Sequence, residues 1–216
     1  NSNSAFGTEA LKYTTTGIKN SAFGGRDYDG GVSGYASLNL NTTGSYNSAF
    51  GQGALANNTT ASNNTAVGYQ AGYTSEASSY NTFLGYQAGY TSNAGAAGLN
   101  TCVGYASGYS LTTGTNNLII GANSSSGAGY YMTTGSKNTI IGGYNGNQNG
   151  LDLRTSSNNI VLSDGDGVPY AYAQKATGTY ANYKWVFGGN NVTSVGSLAE
   201  TVVIGESANA SGYALA

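Results

Sequence analysis

The sequence predicts an all-β protein, a parallel β-solenoid or β-roll of about eleven rungs. Three observations carry that reading: a repeat with a base period of 17 residues, a short β-branched or aromatic run at the head of each copy, and a Gly closing that run. Aligned on Asn, a small or β-branched residue, two apolar residues and Gly, the copies start at Asn3, Asn20, Asn47, Asn64, Asn81, Asn100, Asn117, Asn138 and Asn159. Two degenerate copies follow at Lys184 (KWVFG) and Thr201 (TVVIG). Successive starts lie 17, 27, 17, 17, 19, 17, 21, 21, 25 and 17 residues apart, so insertions of 2, 4, 8 or 10 residues fall between motifs and never inside them. The motif is therefore the packed part, and the insertions are expected at one common place in a return loop.

A 17-residue unit cannot bury a core alone, but stacked copies can. The runs SAF, TAV, TFL, TCV, LII, TII, IVL, WVF and VVI suit a short strand, and the Gly that follows in ten of eleven copies suits a turn. A second extended segment is expected after the turn, as in YQAGY, with Ala or Ser at its centre. Neighbouring strands sit about 4.8 Å apart, so equivalent residues form ladders along the rod. The clearest ladder is Asn, at nine of eleven starts. Its side chain tolerates a left-handed corner, and its amide can bond the next rung. Asn64 with Gly68, Asn81 with Gly85, Asn117 with Gly121 and Asn138 with Gly142 are assigned to structural turns.

Consecutive apolar residues such as LII and IVL place apolar side chains on both faces of the strand, whereas one buried face calls for alternation. An identical rod packed alongside is the simplest cover, which implies a homo-oligomer with Ile119, Ile140 and Val161 at the contact. Ala5, Ala22, Ala49 and Ala66 at the same position would let the rods approach closely. The competing explanation is a second sheet within one subunit.

Composition narrows the function. Only 7% of the 216 residues are charged, 35 are Gly, Pro169 is the sole proline, and seven basic against nine acidic residues leave a net charge of -2 without a basic cluster. A nucleic-acid surface has no support in such a chain, and no apolar run approaches the roughly 20 residues of a membrane-spanning helix. There is no His, which excludes Ser-His-Asp and Cys-His catalysis and His-ligated metals. Cys102 is the only cysteine, so it forms no intrachain disulfide; it occupies the repeat position of Ala66 and Phe83 as a small apolar filler. Gly51, Gly53 and Ala56 fit GxGxxA, but the match arises from the repeat and lies in no βαβ unit. Asp164 and Asp166 in DGDG are weak candidates for Ca²⁺. An ion of that kind needs six or more oxygens, so a tight turn leaving the array is the better reading, and Asp27 and Asp29 in GRDYDGG are judged the same way. Nine scattered acids offer no carboxylate pair for sugar cleavage. No enzyme activity, cofactor or metal is expected.

Tyrosine stands out, with 19 copies. Tyr69, Tyr86 and Tyr105 recur just after the turn, and Tyr73, Tyr90 and Tyr109 four residues on. They read first as a stacked ladder with hydroxyls in water, and second as an exposed strip that stacks on glycan rings or packs against another fibre. Residues 1–167 form the repeat array, 168–183 (VPYAYAQKATGTYANY) an irregular insertion, and 184–216 the final degenerate repeats. The chain starts and stops within repeats and shows no export leader, so it is read as a piece of something longer.

The pattern NSAFG, NTAVGYQAG, NTFLGYQAG with intervening TTG and TSN resembles the head repeats of trimeric autotransporter adhesins of the YadA type, and still more the related repeats of bacteriophage tail fibres. The likeness spans residues 3–167 and resumes weakly over 184–212. The adhesin repeat is usually shorter than 17, so the return loop is enlarged here. NNIVLSDGDG is similar to the segment that ends such arrays in tail fibres, ahead of a trimerisation or chaperone module that is not legible in the residues that follow. The resemblance implies a left-handed parallel β-roll, three chains side by side, and a stiff surface-exposed spacer or receptor-binding rod on a virion tail or extracellular surface. Its partners would be its own copies and a cell-surface glycan or protein receptor. Two other classes stand beside it. An end-to-end extracellular filament is one, favoured by uncapped strand edges. An ice-binding solenoid is the other; its Thr array (Thr65, Thr82, Thr101, Thr139) is interrupted by Ser, Leu, Ile, Trp and Val.

Overall fold

The structure is a computed structural model that describes residues 2–26, 35–95, 97–175, 183–187 and 202–204. The described residues contain strands and turns and no helix, and hence no helix long and apolar enough to cross a membrane. Eight short strands open the chain: β1 (Ser4–Phe6), β2 (Ser21–Phe23), β3 (Ser48–Phe50), β4 (Thr65–Val67), β5 (Thr82–Leu84), β6 (Thr101–Val103), β7 (Leu118–Ile120) and β8 (Thr139–Ile141). A small hairpin, β9 (Asn147–Gln148) with β10 (Leu151–Asp152), precedes β11 (Ile160–Ser163), β12 (Pro169–Lys175), β13 (Tyr183–Phe187) and β14 (Val202–Ile204).

Strands β1 to β8 and β11 stack in parallel, each residue beside its repeat equivalent: Ala49 pairs with Ala66, Phe83 with Cys102, Ile119 with Ile140 and Ile140 with Val161. This is a parallel β-solenoid of about eight turns, roughly 40 Å long at the usual strand spacing. The last copies do not simply continue it. Residues 169–175, expected to be irregular, form β12, which runs antiparallel between β11 and β13; β14 then pairs in parallel with β13. Among the described residues the sheet therefore has twelve strands, and the run of parallel rungs from β1 ends at β11. Asp27 and Asp29 lie outside the described residues.

A three-residue strand points its middle side chain one way and its outer two the other. Here the middle one points inward: Ala22, Ala49, Ala66, Phe83, Cys102, Ile119, Ile140 and Val161 are buried in the chain's own core. Ile119, Ile140 and Val161 are thus fully enclosed within their rungs and cannot meet a neighbouring rod. The same holds for Ala22, Ala49 and Ala66. The outward row is the third residue of each strand: Phe6, Phe23, Phe50, Val67, Leu84, Val103, Ile120, Ile141 and Leu162.

The interior keeps its cross-section by trading volume across the rung. Where the strand contributes Ala, the opposite wall contributes Leu38 or Leu55; where it contributes Phe83, that wall is Gly72 and Gly89. A side chain at Gly89 would collide with the Phe83 ring, so the large residue in one wall requires its absence in the other. A second inner column changes character along the rod. Asn41, Asn58, Ser75 and Ser92 line it in the first half, and Leu111, Met132 and Leu153 in the second.

The segment after the corner is not a second strand. Residues 68–74 and 85–91 run as turns with a left-handed backbone at alternate positions, Gln70 (φ 52°) and Gly72 (φ 61°), then Gln87 (φ 51°) and Gly89 (φ 60°). Their amides still bond the adjacent rungs: Gly72 N–H to the Ala88 carbonyl at 2.9 Å, Gln70 N–H to that of Gln52 at 2.9 Å. Insertions also fall at three places rather than one. Residues 122–126 bulge just after the corner Gly121, residues 93–95 lie in the return, and the β9–β10 hairpin falls within the turn segment.

Truncating a core residue in the middle column is expected to cost about 2–5 kcal/mol. Ile140→Ala should lower the urea midpoint accordingly, and an unchanged midpoint would show that this residue is not packed inside.

Candidate functional site

The described residues contain no group of three or more His, Cys, Asp or Glu able to hold a metal. Asp164 is engaged elsewhere: its Oδ1 accepts the Asp166 and Val168 amides at 3.0 and 2.8 Å, closing the hairpin between β11 and β12 as a tight turn. The Asp166 carbonyl accepts Nε2 of Gln148 at 2.7 Å. The GxGxxA match at Gly51, Gly53 and Ala56 lies in the turn segment after β3, and no helix follows it. Cys102 is wholly buried, and burial pushes its thiol from 9.0 up to about 12. What the fold builds instead are ladders, one internal and structural, the others on the surface.

The internal ladder is asparagine. From Asn3 to Asn159, Oδ1 of each ladder Asn accepts the backbone N–H of the next at 2.8–3.0 Å, through eight consecutive steps. The Nδ2 atoms donate to return-loop carbonyls: Asn47 to Ala61 at 2.8 Å, Asn100 to Gly114, Asn117 to Gly135 and Asn138 to Ser156, each at 2.9 Å. At Asn81 the bond goes back to Ser78 at 2.9 Å, which leaves the Nδ2 of Asn64 unpaired. Every ladder Asn from Asn20 to Asn159 is buried.

The left-handed corner residue is the one before the Asn. Lys19, Tyr46, Asn63, Tyr80, Leu99, Asn116, Lys137 and Asn158 have φ of 53–64°. The backbone reverses there and delivers the following amide into the core. The other corner belongs to glycine. Gly85 has φ +137°, and a Cβ on it would meet the Gly104 carbonyl of the next rung, so conformation and close stacking both demand Gly. Gly68, Gly121 and Gly142 occupy the same corner, at φ 131°, 126° and 115°.

Ser and Thr ladders extend the pattern through the return. Oγ1 of Thr42 donates to the Thr59 carbonyl at 2.9 Å, and Thr59 to that of Glu76 at 3.0 Å. The amides of Ser45 and Ser62 donate to Oγ of Ser62 and Ser79, both at 3.0 Å.

Two kinds of surface ladder remain. The outward stripe of the sheet is apolar over its whole length. Phe23, Phe50, Leu84, Ile120, Ile141 and Leu162 are each 36–46% exposed, and the rings of Phe23 and Phe50 stack at 4.8 Å and 4°. The sequence reading missed this row because it placed the middle residue outward.

Past the Gly corner come the tyrosines, in register as expected. Tyr69, Tyr86 and Tyr105 stack at 5.4 Å per step, and Tyr73, Tyr90, Tyr109 and Tyr130 at 5.1, 4.9 and 4.9 Å. Interplanar angles of 3–16° mean that Tyr86, Tyr90 and Tyr109 have both ring faces covered by their neighbours. Ring edges and hydroxyls are what such columns present. This geometry does not suit a platform for stacking sugars face to face. Burial, with the neighbouring phenols, holds Tyr73, Tyr109 and Tyr130 above the usual tyrosine range.

Asn81→Ala removes a buried acceptor for the Asn100 amide and should cost about 1–3 kcal/mol, read as a lower urea midpoint. Cys102 should resist thiol reagents at pH 8 until the chain unfolds. Because its folded value is raised, its contribution to stability is complete below pH 9.0 and is lost as the pH climbs towards about 12; Cys102→Ala should abolish that part of the alkaline loss.

Comparison with protein-family models, curated proteins and solved structures found no match for this chain.

Proposed function

We propose that the chain is a structural fibre protein. It forms a stiff rod of the tail-fibre or adhesin kind, packed with identical copies as a homotrimer and serving attachment to a host or other surface from a virion tail or the cell exterior. The observation that carries the reading is the outward apolar stripe. From Phe6 to Leu162 the third residue of all nine parallel strands is apolar, on a sheet whose inner face alone is covered by the described residues. Contiguous apolar surface of this kind is rarely left in water. A straight stripe at constant spacing is best covered by another straight stripe, and an identical rod supplies one.

The solenoid supports the mechanical half of the proposal. Each rung touches its neighbours through strand, turn and return-loop bonds, so bending the rod strains three walls at once. A self-assembling filament is the second reading, in which the same outward stripe is covered by open-ended rather than closed packing of the copies.

Sedimentation velocity should give a discrete trimer. A monomer would overturn the proposal, and open-ended polymers would transfer the case to the filament. Ile120→Asp combined with Ile141→Asp should release folded monomers with an unchanged circular dichroism spectrum, whereas Ile119→Asp should unfold its rungs.

A further inference from the structure

The wall carrying the tyrosines is a built surface. Its two columns, Tyr69 to Tyr105 and Tyr73 to Tyr109, arise from residues that straddle a third column, Gln70 and Gln87, in which Nε2 of Gln87 donates to Oε1 of Gln70 at 2.8 Å. The chain dips inward between them at Ala71 and Gly72, and again at Ala88 and Gly89, all buried. Gln70 and Tyr73 converge over Gly53, where a Cβ would lie 3.0 Å from Cγ of Gln70 and 3.5 Å from Cδ2 of Tyr73. Phenol edges thus flank an amide row, and residues 69–73, 86–90 and 105–109 contain no charged side chain.

We propose that this surface binds a neutral, linear polysaccharide laid along the rod. The inference rests on the reading of the chain as a surface-attachment fibre and names the ligand class of its exposed wall. Three features select the ligand. Hydroxyls and amides both donate and accept, which is the chemistry that sugar hydroxyls match. The lack of charge gives an anionic polymer no ion pair. The ring-to-ring step of 4.9–5.4 Å repeats the advance of an extended β-1,4-linked hexose chain, about 5 Å per sugar and close to the strand spacing, so successive sugars meet successive rungs in register. With both faces of Tyr86, Tyr90 and Tyr109 covered, no single rung holds a sugar firmly; affinity accumulates with the number of rungs engaged.

The test is affinity electrophoresis of the intact protein in gels containing soluble β-1,4-glucan, with dextran sulfate as the anionic comparison and cellobiose and cellohexaose as competitors. The oligomer mass is measured on the same samples. The proposal expects retardation by the neutral glucan alone, and cellohexaose competing at least about tenfold better than cellobiose. Replacing Tyr69, Tyr86 and Tyr105 together by Phe keeps the stack and removes the hydroxyls; it should weaken retardation about tenfold with the fold intact. Gln87→Ala serves as an independent variant expected to weaken it as well. No retardation, equal competition by the two sugars, or unchanged retardation after both changes would overturn the assignment. If that occurs with the trimer intact, the fibre reading survives and this wall serves another role; a monomer would instead remove the fibre reading itself.

Discussion

The rest of the structure depends on one hydrogen bond repeated at every level, from the backbone amide of a ladder Asn to the side-chain oxygen of the Asn below it. A strand only three residues long has few ladder bonds with which to fix its register. The Asn adds a bond at the strand's entrance, inside the core, where an unmade bond costs most. At Asn47, Asn100, Asn117 and Asn138 the Nδ2 reaches the return loop as well, so a single side chain ties the start of one rung, the start of the next and the closing loop. Once that register is set, Gly85 must lie against Gly104, Tyr86 against Tyr105 and Leu84 against Val103. Each column on the surface is a consequence of a column inside.

The same constraint explains why the composition is so unusual. Stacked charges of like sign at strand spacing repel, and ladders of Asn, Ser, Thr, Gln and Tyr instead satisfy one another. Among the described residues the ion pairs, Lys12 with Glu9, Arg26 with Glu9 and Arg154 with Asp152, sit towards the ends of the array rather than in its middle. Volume is conserved in the same way, with Phe83 opposite glycines and Ala49 or Ala66 on the levels where Leu55 fills the interior.

Much of this was legible in the sequence. The period, the strands and the Asn and Tyr columns follow from residues recurring with a base spacing of 17, since a repeat at constant spacing has few ways to stack. The faces did not follow. A three-residue strand such as LII is apolar at all positions, so hydropathy cannot say whether Ile119 or Ile120 points inward. The exchange of Leu55 for glycine at the levels near Phe83 carried that information, because only residues facing each other across a core need to trade size. The corner was misplaced by one residue for a related reason. Asn is both the residue most tolerant of a left-handed backbone and an apt ladder amide, and the second use prevails at Asn81, with Tyr80 taking the strained position. YQAGY, with Ala at its centre, read as a second extended segment, yet Gly72 and Gly89 allow a left-handed path that brings the wall round within five residues. The antiparallel β12 was hidden by Pro169, which begins the strand and donates no bond.

The fibre reading adds a surface to this interior: an apolar stripe on the sheet and uncharged phenol and amide columns on the neighbouring wall. Both are functional only if the rungs keep register over the whole rod, so the ladder is the claim to test most directly. Hydrogen exchange resolved at single amides would do so. The account predicts that the backbone amides of Asn47, Asn64, Asn81, Asn100, Asn117 and Asn138 exchange as slowly as the strand amides beside them. Exchange at those positions as fast as in exposed loops would contradict it.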